Sequence, residues 1–285
     1  MDETKHGNLE LDAAGFGTLA HGALELFGQA NLGQVTTDPA EVHRQLMGFL
    51  DDYVRATFGP DPSTAIRFQV EAARGRLSAF AAKQADMAAE GWVIQAVEGS
   101  LPEQEILGVK VTGKFDRLDH NPRTGHWRVY DYKTFNYAKN PLGTHTAKGA
   151  EGEPFTAHVR KRNRKGDDTG ETKLIRWKDL QLPVYHMALK GRWPGIGEKD
   201  TLHVGYLCLP ALVSDTGEEV WEHYHTDYLE AGEAQIKAVI AALQQGGSAA
   251  YQPSERGSDY PVLAALKGRQ MKEYLNLGQL GGTRA

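Results

Sequence analysis

The stretch Val129-Tyr130-Asp131-Tyr132-Lys133-Thr134 combines strand-forming residues with two charged side chains, Asp131 and Lys133, two positions apart. Side chains at positions i and i+2 of a β-strand lie on the same face, so this carboxylate and this ammonium should project together. The preceding residues 120–125, His-Asn-Pro-Arg-Thr-Gly, have the Asn, Pro and Gly typical of a turn. The stretch is therefore predicted to be the second arm of a β-hairpin.

The first arm of this hairpin, predicted over residues 107–118, leads into Gly113-Lys114-Phe115-Asp116-Arg117-Leu118-Asp119. If the turn centres near Arg123, Asp116 falls opposite Tyr130 or Asp131, at a cross-strand distance of about 5 Å. Two carboxylates this close repel each other unless a cation or a shared proton lies between them. Carboxylates that hold a divalent metal beside a lysine suit phosphodiester hydrolysis. The alternative is a surface Asp–Lys ion pair on an exposed hairpin.

Four segments of the chain resemble one known family. G-K-F-D-R-L-D at residues 113–119 followed by D-Y-K-T at residues 131–134 resembles the core of the PD-(D/E)XK nuclease superfamily, and most closely its RecB/AddB-type branch. Two further segments agree with that branch, G-T-L-A-H-G-A-L-E at residues 17–25 and Q-L-P-V-Y at residues 181–185. All four occur in the order of the family.

The resemblance implies an α/β fold with a restriction-endonuclease-like αβββαβ core, in which helices flank a mixed β-sheet. We expect a single nuclease domain over residues 1–285. Residues 12–91 would be a mainly helical elaboration that contains the His motif, residues 92–250 the catalytic α/β core, and residues 251–285 a C-terminal extension.

Hydrophobic periodicity and capping residues predict helices over residues 12–31, 38–59, 63–90, 177–190 and 227–246. Strands are predicted over residues 92–97, 107–118, 127–135, 202–209 and 219–225. Pro183 implies a kink in the fourth helix or a start later than Asp179. Residues 136–173 are rich in Gly, Thr, Asn and charge, and we expect them to form an irregular insertion.

The predicted metal ligands are Asp116 and Asp131, because carboxylate oxygens are the ligands that Mg²⁺ prefers. The resemblance adds His21 and the backbone carbonyl of Tyr132. Imidazole is accepted more readily by Mn²⁺, so the expected cofactor is Mg²⁺ or Mn²⁺. Glu25, one helical turn after His21, would orient the imidazole. The alternative for His21 is an ordinary hydrogen-bonded histidine.

Asp116, Asp131 and Lys133 form the predicted catalytic set. Lys133 would orient or deprotonate the attacking water, or would stabilise charge on the phosphate. Glu98, in Val-Glu-Gly at residues 97–99, is a further candidate that corresponds to an upstream glutamate of the family.

Two groups of residues are predicted to bind the substrate. Gln181 and Tyr185 share a helix face, which the resemblance aims at the DNA strand or at the site lysine; the alternative is an ordinary amphipathic helix. A block of basic residues is expected to contact phosphates, or else to be a solvated loop. The basic residues of this block are Arg160, Lys161, Arg162, Arg164, Lys165, Lys173, Arg176 and Lys178.

Composition limits the class of protein. A hydrophobic content of 40% and a charged content of 24% are typical of a soluble globular protein, and no apolar run has the length of a membrane span. The first residues lack the apolar core of a signal peptide, which predicts a cytoplasmic location and no membrane partner. Cys208 is the single cysteine, so we expect a buried thiol and no iron–sulfur cluster.

The predicted function is a metal-dependent DNA nuclease, an exonuclease that acts in recombination or repair on DNA ends or single strands. The sequence has no G-x-x-x-x-G-K-[ST] loop, so a helicase motor would be a separate partner. The alternative is an inactive nuclease-fold module that binds DNA for that helicase. A hydrolase of another substrate, with Asp116 and Asp131 as an acid–base pair, lacks a supporting motif.

Overall fold

The structure is a computed structural model that describes residues 10–163, 167–198, 201–221 and 226–244. The contacts of the chain separate into two units, Met1–Lys237 and Ala238–Ala285. Of the second unit, residues 238–244 are described, and they form the end of a helix. The predicted C-terminal extension, residues 251–285, lies outside the described residues, and the division of the chain into domains stays a prediction.

Three long helices come first, as predicted. They are α1 (Ala13–Ala30), α2 (Pro39–Phe58) and α3 (Thr64–Glu90). Each is preceded by a capping residue whose side chain accepts a hydrogen bond from a backbone N–H of the first turn. For α2 this residue is Asp38, and a proline follows it at the first helical position. The third helix ends at Gly91, whose φ of 101° is the left-handed conformation that glycine adopts without a steric penalty.

The ten strands form three sheets. They are β1 (Val93–Ser100), β2 (Gln104–Ile106), β3 (Val109–Val111), β4 (Lys114–Asn121), β5 (His126–Lys133), β6 (Thr146–Lys148), β7 (Thr156–Arg162), β8 (Asp168–Trp177), β9 (Leu202–Cys208) and β10 (Gly217–Val220), counted over the described residues. The main sheet has the order β1-β4-β5-β9-β10, with β5 and β9 parallel and its other pairs antiparallel. The helix α5 (Gln181–Leu189) lies between β5 and β9 in the chain. The predicted αβββαβ core and mixed sheet are confirmed.

Hydrophobic cores lie on both faces of this sheet. On one face, Tyr130 and Tyr132 pack with the buried side chains of α1, α2 and α3. On the other, Trp127 and Val129 pack with those of α5 and of the small β6-β8-β7 sheet. α1 packs closely against α2 because Gly22 has no side chain: a Cβ there would lie 2.0 Å from the ring of Tyr53 on α2. Alternate residues of β5 thus face different layers, as the period of a strand requires.

Two predictions of secondary structure need correction. The strand predicted over residues 107–118 is two strands, β3 and β4, and its first residues, Leu107 and Gly108, form a turn with φ of 52° and 76°. Where they are described, residues 136–173 are not irregular: they contain the helix α4 (Pro141–His145), β6, β7 and the start of β8. These strands escaped prediction because most of their side chains are exposed, so they lack the apolar alternation of a half-buried strand.

The later elements agree with the predictions where they are described. α5 begins after Asp179 and has Pro183 in its first turn, where a proline removes no intrahelical hydrogen bond. The predicted strand over residues 219–225 is β10, and residues 222–225 lie outside the described part. The last helix is α6 (Thr226–Gln244), and its predicted end at residue 246 also lies outside. Cys208 is buried. Within the described residues, no helix is both long and apolar enough to span a membrane.

Candidate functional site

Three carboxylates occupy matching positions on the adjacent strands β1, β4 and β5. Val97 pairs with Arg117 and Gly99 pairs with Phe115, so Glu98 lies opposite Asp116. The pair between Arg117 and Tyr130 brings Asp116 next to Asp131, as the hairpin prediction required. Asp116 is the middle member of this row, with electrostatic interactions to Glu98 and to Asp131. The topology therefore concentrates negative charge at one place.

Glu98 combines backbone strain with an unfavourable charge environment. Its φ is 47°, a left-handed conformation that costs a non-glycine residue of order 1–3 kcal/mol and that is concentrated at functional sites. Burial and the neighbouring Asp116 raise the pKa of the Glu98 carboxyl. The fold thus holds this carboxylate in a position that neither its backbone nor its charge favours.

His21, on α1, lies at the side of this row. Its Nε2 is 3.2 Å from the carbonyl oxygen of Tyr132, and its Nδ1 is 3.7 Å from Asp116 Oδ2. Burial lowers the pKa of His21, so the imidazole is neutral at pH 7. The carbonyl only accepts, so the proton is assigned to Nε2, and the bare Nδ1 faces Asp116. Glu25, which was expected to orient His21, accepts a hydrogen bond from Gln29 Nε2 at 2.9 Å.

The arrangement fits a divalent cation. Burial and repulsion from Asp131 raise the pKa of the Asp116 carboxyl to about 7, although its Oδ2 accepts a hydrogen bond from Tyr132 N at 2.6 Å. One ligand atom from each of His21, Glu98 and Asp116 lies within 4.8 Å of the others. A bare imidazole nitrogen and carboxylate oxygens are the donor set that Mn²⁺ or Mg²⁺ accepts, and a cation there would relieve the repulsion.

Asp131 is held from two sides. Lys133 Nζ forms an ion pair with its Oδ2. Gln181, at the start of α5, donates through Nε2 to Asp131 Oδ1 at 2.9 Å and to the Tyr185 hydroxyl at 3.0 Å, which uses both hydrogens of the amide. Tyr185 is buried. The predicted pair Gln181 and Tyr185 therefore reaches the candidate site through Asp131.

A second chain of contacts lies behind Lys133, and no sequence pattern predicted it. The ring of Tyr206, which pairs with Asp131 across β5 and β9, has its centroid 5.1 Å from Lys133 Nζ. The Tyr206 hydroxyl lies 2.6 Å from Nε2 of the fully buried His145 on α4, and His145 Nδ1 lies 3.0 Å from the carbonyl oxygen of Asp179. Burial lowers the pKa of His145, so the neutral ring donates from Nδ1 and accepts from the tyrosine hydroxyl.

The second aspartate of the D-R-L-D motif belongs to the fold. Asp119 and Arg117 are buried on the opposite face of β4 and form two hydrogen bonds of 2.7 Å. Gln84 of α3 accepts a third hydrogen bond from Arg117 at 2.6 Å. The sequence contains no signal that separates this aspartate from Asp116. The two aspartates are three positions apart, so they project to opposite faces of the sheet. The face that α3 covers decides which aspartate is buried in an ion pair and which lies in the candidate site.

Of the basic residues predicted to contact DNA, Arg160, Lys161 and Arg162 lie on β7, in the β6-β8-β7 sheet, and each of these three has an acidic neighbour. Lys173 and Arg176 lie on β8. The ion pairs are Arg160 with Asp168 at 2.5 Å, Lys161 with Glu171 at 2.7 Å and Arg162 with Asp227 at 3.7 Å. Arg164 and Lys165 lie outside the described residues. These ion pairs reduce the positive charge available to a phosphate.

Comparison with known sequence families gives a match over the region of the candidate site. The sequence model of the PD-(D/E)XK nuclease superfamily matches residues 3–150, just over half of the chain. This region contains His21, the three carboxylates and Lys133. No curated protein shows a significant match to the chain. The chain therefore belongs to the PD-(D/E)XK nuclease superfamily, a membership that implies a metal-dependent nuclease.

Proposed function

We propose that this chain is a deoxyribonuclease that degrades DNA from its ends, an exonuclease of recombination or repair. The observation that carries the proposal is the row of Glu98, Asp116 and Asp131, flanked by His21 and by Lys133. The RecB/AddB-type segments described above support action on DNA ends. A helicase partner and a cytoplasmic location remain predictions.

A divalent cation would be held by His21 Nδ1 and by the carboxylates of Asp116 and Glu98, with Asp131 and the Tyr132 carbonyl as the further predicted ligands. When bound, Mg²⁺ or Mn²⁺ supplies an activated water and stabilises charge on the phosphate oxygens. The Tyr132 N–H orients Asp116 through its hydrogen bond to Oδ2. Groups that are oriented before the substrate binds favour electrostatic catalysis.

Lys133 has the simplest role. Its ammonium is half-buried and lies against Asp131, so it brings a positive charge to the place where a scissile phosphate would sit. From there it can donate a hydrogen bond to the attacking water or to a phosphate oxygen. Gln181 is a positioning residue, because it fixes one oxygen of Asp131 and leaves the other to the lysine.

The test is digestion of end-labelled linear duplex, single-stranded and closed circular DNA with Mg²⁺ or Mn²⁺. We expect the linear substrates to be degraded and the closed circles to survive. Lys133→Ala should abolish cleavage and retain DNA binding and metal binding, because the lysine ligates no metal. Cleavage of closed circles would reject an exonuclease. Binding of DNA without cleavage in either metal would favour the inactive helicase-associated module.

A further inference from the structure

Two aromatic side chains are exposed directly after β5. Phe135 is 38% exposed and Tyr137 is 67% exposed, although aromatic rings gain more than most side chains from burial. Both lie in the loop of residues 134–140, which begins immediately after Lys133. Exposed aromatic rings beside a candidate active site are a surface that a ligand can contact.

The start of this loop is held in place by hydrogen bonds. The carbonyl oxygen of Phe135 accepts from Ala211 N at 3.0 Å, in the segment after β9. The carbonyl oxygen of Thr134 accepts from Arg76 Nη1 of α3 at 2.6 Å. The ring of Phe135 is therefore presented from a fixed backbone, and a ligand that binds it does not have to order that backbone first.

The charges around Phe135 restrict the chemistry of the ligand. Lys139 Nζ lies 3.6 Å from the centroid of the Phe135 ring, and Lys133 Nζ lies 5.9 Å from it. Lys139 is exposed, so its ammonium is free to turn toward an anion. A ligand that has both a flat ring and a negative charge fits this surface. A nucleotide has both.

We propose that Phe135 and Tyr137 form a stacking site for the unpaired bases of a DNA strand whose phosphates lie along Lys133 and Lys139. The proposal rests on the proposed function, since it assumes that DNA reaches the candidate site. Aromatic side chains stack on any base, so the site is independent of sequence. Bases of an intact duplex are already stacked and paired, so the site selects single strands and frayed ends. An apolar protein segment would match the rings and leave the exposed Lys139 without a counter-charge.

Binding of fluorescein-labelled oligothymidylate in EDTA, followed by fluorescence anisotropy, tests the site without cleavage. Phe135→Ala and Tyr137→Ala should each weaken binding about 5- to 150-fold, the measured range for loss of one stacked base. Blunt duplex should bind each variant as it binds the parent. Tyr137→Phe should retain the affinity, because it keeps the ring. A strand with 2-aminopurine near its end should lose protein-induced quenching in the alanine variants.

The matched control is Phe68→Ala on α3, which removes an aromatic side chain that is 74% exposed and should leave binding unchanged. Salt dependence separates stacking from charge. Lys139→Gln should reduce the slope of log affinity against log salt by about 0.7 on a single strand, whereas the aromatic variants should keep the slope of the parent. Parent-like binding by both aromatic variants, an equal loss on duplex, or no binding by the parent would overturn the proposal. Absence of cleavage by a parent that binds would contradict the proposed function alone.

Discussion

Two aspartates on β4 should respond to the same substitution with opposite signs. Asp116 belongs to the carboxylate row, and Asp119 belongs to the buried ion pair on the other face. Both are replaced by asparagine, which keeps the shape and removes the charge. In metal-free protein, Asp116→Asn should stabilise the fold, and Asp119→Asn should destabilise it.

The magnitudes follow from the environments of the two side chains. The pKa of Asp116 rises from its usual 3.8 to about 7, and this shift corresponds to a destabilisation of at most about 4 kcal/mol when the group is ionised. The amide of asparagine also loses water on burial, so we expect a gain of about 1–3 kcal/mol. Asp119 and Arg117 are 0% and 1% exposed. Loss of one partner of such a pair costs about 3–5 kcal/mol.

The effect of Asp116 also depends on pH. Because the folded state binds this proton more tightly than the unfolded state, the stability that protonated Asp116 provides is present below pH 4 and is lost as the pH rises to about 7. The advantage of Asp116→Asn should therefore be absent near pH 4, grow up to about pH 7 and stay constant above it. At pH 7 and above, Asp119→Asn should be less stable than the parent.

Urea unfolding in EDTA at several pH values, followed by circular dichroism, measures both variants. Added Mn²⁺ should make the parent more stable to urea than Asp116→Asn, because bound metal stabilises only the protein that retains the ligand. Unfolding of metal-free Asp116→Asn at a lower urea concentration than the parent at pH 8 would contradict the repulsion assigned to Asp116. A stability difference between Asp116→Asn and the parent that does not change between pH 4 and pH 8 would contradict it equally.

Three further predictions concern other contacts. Gln181→Leu cannot donate to Asp131 and should slow single-turnover cleavage by about 10- to 100-fold at unchanged DNA affinity. Burial lowers the pKa of His186 to about 4, so the parent should lose up to about 3 kcal/mol as the pH falls from 6.5 to 4; thermal melts of His186→Gln should show a smaller loss over this range. Double replacement of Arg160 and Lys161 by glutamine should reduce the salt slope of duplex binding by about 0.9 per lost phosphate contact; an unchanged slope would mean that both residues only pair with their acidic neighbours.

Local sequence was sufficient for much of the fold. Capping residues and prolines determine where α1, α2 and α3 begin, because a free backbone N–H needs a partner within the same few residues. The turn after residue 121 determines the register of β4 and β5, and this register brings Asp116 beside Asp131. Such signals are readable because both interacting groups are close in the chain.

The tertiary structure decided which residues complete the candidate site. Glu98 reaches Asp116 only through the pairing of β1 with β4, and His145 reaches Tyr206 from a segment whose strands have no apolar period. The same holds for Asp119, which the motif alone does not distinguish from Asp116. These assignments depend on which face of the sheet each helix covers. That choice is made by packing between residues distant in sequence, and no local pattern of side chains encodes it.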